Sequence, residues 1–153
     1  MKICITTASG IEAVTKREIA EITGETELKA QDGRICFEGD FDTIAKCNLY
    51  LRTANRVEII AGEFKAENFD ELFDGVKAIE WEKYVDKDGK IIVSAKSVMS
   101  KLFAYSAIQP ITKKAVCEKL KSAYKSINLP ENGARYKIET SIRKDFVTVT
   151  LDT

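Results

Sequence analysis

Apolar and polar residues alternate over residues 2–6, with Ile3 and Ile5 on one side, which is the period of a strand. The spacing then changes. Ile11, Val14, Ile19 and Ile22 fall on one arc of a helix, Ser9 and Glu12 have the S-x-x-E spacing of a capping box, and Gly24 supplies a stop. Alternation returns over residues 27–31 and 34–38, where Ile35 and Phe37 share a face, and Asp32-Gly33 between them predicts a primed hairpin turn. Asp40 or Asp42 caps a second helix bearing Ile44, Cys47, Asn48 and Leu51, and Val57, Ile59 and Ala61 alternate along a strand over 56–64. The order β-α-β-β-α-β predicts an antiparallel four-stranded sheet with two helices on one face, the ferredoxin-like arrangement.

The pattern begins again at Asn68, which pairs with Glu71 as a helix start. Phe69, Leu72, Phe73, Val76 and Ile79 follow at helical spacing, and Trp81 and Tyr84 pack a short turn. After Asp88-Gly89 a strand over 90–97 puts Ile92, Ser94 and Lys96 on one face and Ile91, Val93 and Ala95 on the other. A long helix over 106–127 ends at Leu129-Pro130, and strands over 134–142 and 146–151 meet at a tight turn, Lys144-Asp145. This second order, α-α-β-α-β-β, differs from the first. The chain reads as α+β, with domains at 1–65 and 66–153 and no internal repeat.

Composition narrows the chemistry. The 153 residues are 44% hydrophobic, enough for real cores. No stretch reaches the roughly 18 apolar residues of a membrane helix, and the N-terminus does not read as a signal peptide. Cys4, Cys36, Cys47 and Cys117 sit in apolar surroundings without a C-x-x-C, so reduced, mostly buried thiols and a cytoplasmic location are expected. The chain has no histidine, which removes the commonest general base and the commonest metal ligand. It has neither a phosphate-binding G-x-x-x-x-G-K-[ST] nor a dinucleotide G-x-G-x-x-G motif. A binder is expected rather than a catalyst, with no catalytic residue, no metal and no cofactor. A small enzyme working with Asp, Glu and Lys alone is the outlying alternative.

Charge changes the picture more. Residues 1–66 hold 9 basic and 11 acidic groups, residues 67–95 hold 4 and 8, and residues 96–153 hold 11 and 5. The net charge of zero therefore hides a basic last third that suits a polyanion. Within it, the long helix starts either at Ser106, with Gln109 completing a capping box, or with Pro110 at its first position. Free N–H groups at that end would favour a phosphate. Lys96, Ser97, Ser100, Lys101, Gln109, Lys113 and Lys114 are then the candidate RNA-binding surface, with Tyr105, Arg143 and Lys144 as further candidates. Phe103 and Tyr105 either stack on unpaired bases or plug the core. Arg143 and Lys144 either contact RNA or are simply solvated.

Three blocks carry a resemblance: G-R-I-C-F-E-G-D at 33–40, N-L-Y-L-R-T-A-N-R-V at 48–57 and A-I-Q-P-I-T-K-K-A at 107–115. Together they resemble the N-terminal region of THUMP-containing bacterial 23S rRNA guanine-N2 methyltransferases, often labelled N6-adenine-specific DNA methylases. The resemblance implies a ferredoxin-like domain followed by a THUMP domain that binds structured RNA, here large-subunit rRNA. It also implies a C-terminal methyltransferase domain using S-adenosylmethionine. The chain stops at V-T-V-T-L-D-T, where that domain is expected to begin, and shows no N-P-P-[YF] motif. A THUMP module of a tRNA-modifying enzyme and a ferredoxin-like regulatory or interaction module are the alternatives.

Overall fold

The computed structural model describes all 153 residues, which group into two compact units: 1–60 with 152–153, and 61–151. In the first, β1 (Lys2–Thr7), β3 (Arg34–Glu38), β2 (Lys29–Gln31) and β4 (Ala54–Lys65) lie in the order β2-β3-β1-β4. All of these pairings are antiparallel, with Ile3 opposite Phe37 and Ile59. Ile3, Ile5, Ile35 and Phe37 are buried on one face, with Ile19 of α1 (Glu12–Thr23) and Ile44 and Cys47 of α2 (Phe41–Tyr50) completing the core. The strand β4 has 12 residues, about 40 Å at strand rise, and its last five, 61–65, group with the second unit. Thr153 returns to the first unit, where its N–H and its hydroxyl both donate to the Val57 carbonyl.

The expected capping box at Ser9 does not form. Gly10 at φ +97° turns the chain, the helix begins after Ile11, and no side chain caps it. The Glu12 carboxylate instead accepts from the N–H groups of Gly10 and Gly33, which ties the helix start to the β2–β3 turn. Asp40 does cap α2, accepting from Thr43 N–H at 2.8 Å. The R-T-A segment owes its shape to a hydroxyl chain. Thr53 Oγ1 lies 2.8 Å from Thr15 Oγ1 and donates to Glu18 Oε2 at 2.6 Å, while Thr7 Oγ1 donates to the Thr53 carbonyl. These bonds hold the Glu18 carboxyl below its ordinary pKa, the Thr53 hydroxyl foremost.

All four cysteines are free thiols. Cys4 and Cys47 are buried, whereas Cys36 and Cys117 are half-buried, so burial is less complete than their flanks suggested. Cys4 and Cys36 face each other across β1 and β3 with sulfurs 3.2 Å apart. Burial pushes the Cys47 thiol up to about 11.

In the second unit the strands run in the order β7-β6-β5, where β5 is Lys90–Val98, β6 is Arg135–Arg143 and β7 is Phe146–Asp152. The pair β5–β6 is parallel and β6–β7 is antiparallel. Parallel neighbours need a long crossover, supplied here by α4 (Tyr105–Ala123). The crossover helix covers one sheet face through Ile108, Thr112, Ala115 and Val116, and Thr112 shares a buried hydroxyl contact with Thr140 of β6. Helix α3 (Phe69–Lys77) is capped by Asn68, which accepts from Glu71 N–H, and buries Leu72 and Val76. A 3-10 turn at Trp81–Lys83 follows, and Trp81 is wholly buried with its indole N–H donating to the Val76 carbonyl at 2.9 Å.

Both expected ends of the long helix are corrected. It starts at Tyr105 with Ala104 as an unassisted cap, and neither a Ser106 box nor an N-terminal Pro110 is present. Pro110 lies inside the helix, where it leaves the Ser106 carbonyl without its N–H partner. The helix ends at Ala123, before Ile127, because Lys125 adopts φ +50° and Ser126 N–H closes back on the Lys121 carbonyl. This is a Schellman stop with lysine where glycine is usual. Lys125→Gly is expected to raise stability by about 1 kcal/mol, read as a shift in urea midpoint at constant slope.

Candidate nucleic-acid interface

The segment between β5 and α4 has no repeating secondary structure, yet it is held at many points. Leu102 is buried, and its carbonyl accepts from the Ser97 hydroxyl. The Ser100 hydroxyl donates to the Val98 carbonyl at 2.9 Å and accepts from Asp145 N–H at 3.1 Å. Lys101 N–H donates to Asp145 Oδ1 at 2.8 Å, and Lys144 N–H to the Val98 carbonyl at 3.2 Å. The β5–α4 connection is thereby laced to the tip of the β6–β7 hairpin. That tip is built from two non-glycine residues in the left-handed region, Lys144 at φ +49° and Asp145 at φ +64°. A primed two-residue turn demands such angles, and asparagine and glycine meet them with less strain. Asp145 is retained there by what its side chain and backbone hold.

Above this lacing the surface is apolar and cationic together. Phe103 is 75% exposed and Met99 78%. Val98, Tyr105 and Phe146 are also exposed, and the Tyr105 hydroxyl donates to the Ser97 carbonyl at 3.3 Å. Lys101, Arg143 and Lys144 stand in the same cluster, since Val98 pairs with Arg143 in the sheet and Arg143 with Phe146. The sequence leaves stacking and core-plugging open for Phe103, and the core-plugging reading fails: Leu102 is the residue that turns inward. A loop has no period from which that choice can be read. Met99, Val98 and Phe146 had no sequence signal as site residues.

The structure brings Ser97, Ser100, Lys101, Tyr105, Arg143 and Lys144 together, but it separates the remaining candidates. Lys96 lies on the sheet face away from α4 and pairs with Glu139 at 3.2 Å. Gln109 is one turn inside α4. Lys113 and Lys114 are eight and nine residues past the helix start, about 12–14 Å along the axis, and the free N–H groups belong to Tyr105 and Ser106. The expected convergence of a positive helix end with Lys113 and Lys114 is therefore not built. Lys113 pairs with Glu131 at 3.3 Å, and Lys114 stands 6.0 Å from the centre of the Phe73 ring.

Carboxylates of the chain already answer some of these cations. Glu67 meets Lys101 at 2.8 Å and Lys65 at 3.0 Å, and the Lys101 hydrogen bond above all pulls its pKa down to about 2. A depressed carboxyl contributes stability that is complete above its unfolded value near 4.5 and is lost as pH falls through about 2. Acidity in the ordinary range therefore leaves Lys101 paired, whereas salt or a competing polyanion releases it. No group of three or more His, Cys, Asp or Glu side chains is placed to hold a metal, and no helix is long and apolar enough to cross a membrane.

Comparison with known proteins places both units. A family model for the RlmL ferredoxin-like domain matches residues 2–58, and the THUMP domain model matches residues 66–152. Over 149 residues the chain is 43% identical to YpsC of Bacillus subtilis (strain 168), provisionally named an RNA methyltransferase, covering 96% of this chain and 38% of that protein. Over 92 residues it is 30% identical to ribosomal RNA large subunit methyltransferase K/L of Pseudomonas entomophila (strain L48), covering 60% of this chain and 12% of that protein. The structure of SMU.472, provisionally a methyltransferase and complexed with SAH, is 44% identical with a TM-score of 0.95, over 99% of this chain and 41% of that one. The chain thus spans well under half the length of each of these relatives.

Proposed function

The chain belongs to the THUMP family, with an RlmL ferredoxin-like domain ahead of its THUMP domain, and on that premise we propose that it is the RNA-binding region of an RNA methyltransferase. In this reading it holds large-subunit rRNA for a methyltransferase domain that lies elsewhere in a longer protein and uses S-adenosylmethionine. The shared region with a ribosomal RNA large subunit methyltransferase and with an SAH-bound methyltransferase structure supports the assignment. The observation that carries it is the laced loop and hairpin tip, where Phe103, Met99 and Tyr105 stand exposed beside Lys101, Arg143 and Lys144. Exposed aromatics offer stacking faces to unpaired bases, and cations around them take the adjoining phosphates. Ser97 and Ser100 use their hydroxyls inside the protein and shape the loop. Their part is positioning.

Binding measured by filter retention over a series of salt concentrations tests this, with rRNA hairpins and tRNA as probes. About three phosphates neutralised at the loop contribute about −2 to the slope of log K against log salt. The double variant Lys101→Gln, Lys144→Gln is expected to flatten that slope by about 1.4 and to weaken all hairpins alike, since phosphate contacts carry no sequence information. Equal or tighter binding of tRNA would remove the rRNA assignment. Absence of binding to either RNA would remove the RNA-binding role itself.

A further inference from the structure

The three strands of the second unit have a second face. Register places Lys90 beside Arg135, Ile92 beside Lys137, Ser94 beside Glu139, Lys96 beside Ser141 and Val98 beside Arg143. Their alternate neighbours, Ile91, Ala95, Ile138, Thr140 and Ile142, are buried on the face that α4 covers. No helix of the unit lies over the first set, and Lys90, Ser94, Lys96, Val98, Arg135, Lys137 and Arg143 are exposed. Five cations therefore share a face of β5 and β6 with one acid, Glu139, which Lys96 already engages.

Some cations of the unit are paired with carboxylates and others, including Lys87, Lys121, Lys125 and Lys144 off this face, are not. Lys65, Lys77, Lys83, Lys96, Lys101, Lys113 and Lys119 all have carboxylate partners. Lys90, Arg135 and Lys137 have none, and like charges set side by side on neighbouring strands repel. Three such cations on neighbouring strands of an open sheet face present a dense positive charge to an anion from outside. The face runs from Lys90 to Val98, about 26 Å at strand rise, with the hydroxyls of Ser94 and Ser141 between the cations. It ends at Val98 and Arg143, which belong to the loop and hairpin cluster described above.

We propose that the open face of β5 and β6 is a second RNA-binding surface, along which the phosphate backbone of an RNA engaged at the loop continues past Arg143, Lys137, Arg135 and Lys90. This rests on the RNA-binding reading and extends it from a loop to a track. The size of the track suits a folded RNA better than a few nucleotides. The partner class is fixed by charge: regularly spaced, sequence-independent anions.

The test uses the full chain and an rRNA hairpin with a stem of about 15 base pairs, whose length on an A-form helix exceeds the track. Three proteins are compared with the wild type: Arg135→Gln with Lys137→Gln, Lys90→Gln alone, and Lys121→Gln with Lys125→Gln. The last pair removes the same charge from the far end of α4. Neutralising Arg135 and Lys137 is expected to weaken hairpin binding about tenfold at moderate salt and to make the salt slope shallower by about 1.4 to 1.8. Lys90→Gln is expected to make it shallower by about half that, and the α4 pair to change it little. Unfolding midpoints establish that each variant is folded, and if the double variant is not, Lys90→Gln alone decides. Wild-type slope in the face variants would overturn the proposal while leaving the loop as the RNA site. Equal losses from the α4 pair would overturn it too, because net charge alone would explain them. Failure of the wild type to bind any hairpin is a different result, which removes the RNA-binding reading itself.

Discussion

Trp81→Ala is expected to cost about 3–5 kcal/mol, most of the stability that a unit of this size commands. Trp81 is the largest wholly buried side chain, and it sits on the 3-10 turn between α3 and the β5 strand. The segment after the turn is tied to the cap of α4, since the Tyr124 hydroxyl donates to the Val85 carbonyl at 2.7 Å. Removing the indole leaves a cavity and takes one donor from the buried Val76 carbonyl, which keeps the Ile79 N–H at 3.2 Å. For about ninety residues such a loss corresponds to a fall of roughly 15–30 °C in Tm. Trp81 is the sole tryptophan, so unfolding must be followed by far-ultraviolet circular dichroism instead of emission. Trp81→Phe helps to separate the two causes, because it leaves a much smaller cavity while losing the hydrogen bond entirely. An unchanged unfolding transition in Trp81→Ala would mean that the turn does not anchor the unit.

Phe103→Ala should behave in the opposite way. With three quarters of its surface in water, Phe103 contributes little to folding, and truncation is expected to move stability by less than about 0.5 kcal/mol. RNA affinity is expected to fall by about 1–3 kcal/mol, roughly 5- to 150-fold, the value of one aromatic face stacked on a base. The salt slope should stay where it is, since no charge has changed. Phe103→Trp enlarges the stacking face and should hold or improve affinity. Leu102→Ala, next door, should loosen the loop and reduce both stability and binding. Wild-type affinity in Phe103→Ala would return the ring to an incidental exposed residue.

How far the sequence was legible depended on range. Period-2 and period-3.6 spacing located every strand and helix, because burial on one face constrains residues two, three or four apart. Caps were legible where one side chain met one nearby N–H, as at Asp40 and Asn68. They were not where backbone angles decided, as at Gly10 and Lys125. The loop site depends on Asp145 meeting Lys101 from 44 residues away, and no local pattern records that meeting. Charge shows the same divide. Counting showed a basic last third, but Lys96, Lys101 and Lys113 find acids brought to them by the fold. That Lys90, Arg135 and Lys137 share one face becomes visible only once β5 and β6 are set side by side.

The parallel pairing of β5 with β6 also sets an order of assembly. The β6–β7 hairpin closes over a two-residue turn, a microsecond event, whereas β5 reaches β6 only after residues 99–134 have been laid out as a loop and α4. The entropy of closing that longer loop is expected to bring β5 to β6 only after the hairpin has formed. Departure of β5 would take Val98 and Ser100 away from the hairpin tip, and the loop site would come apart with it. An RNA bound across both would close that low-energy opening, and amide hydrogens of β5 would then exchange on the timescale of the whole unit. The strand that joins after the hairpin is thus the one whose persistence the ligand would govern.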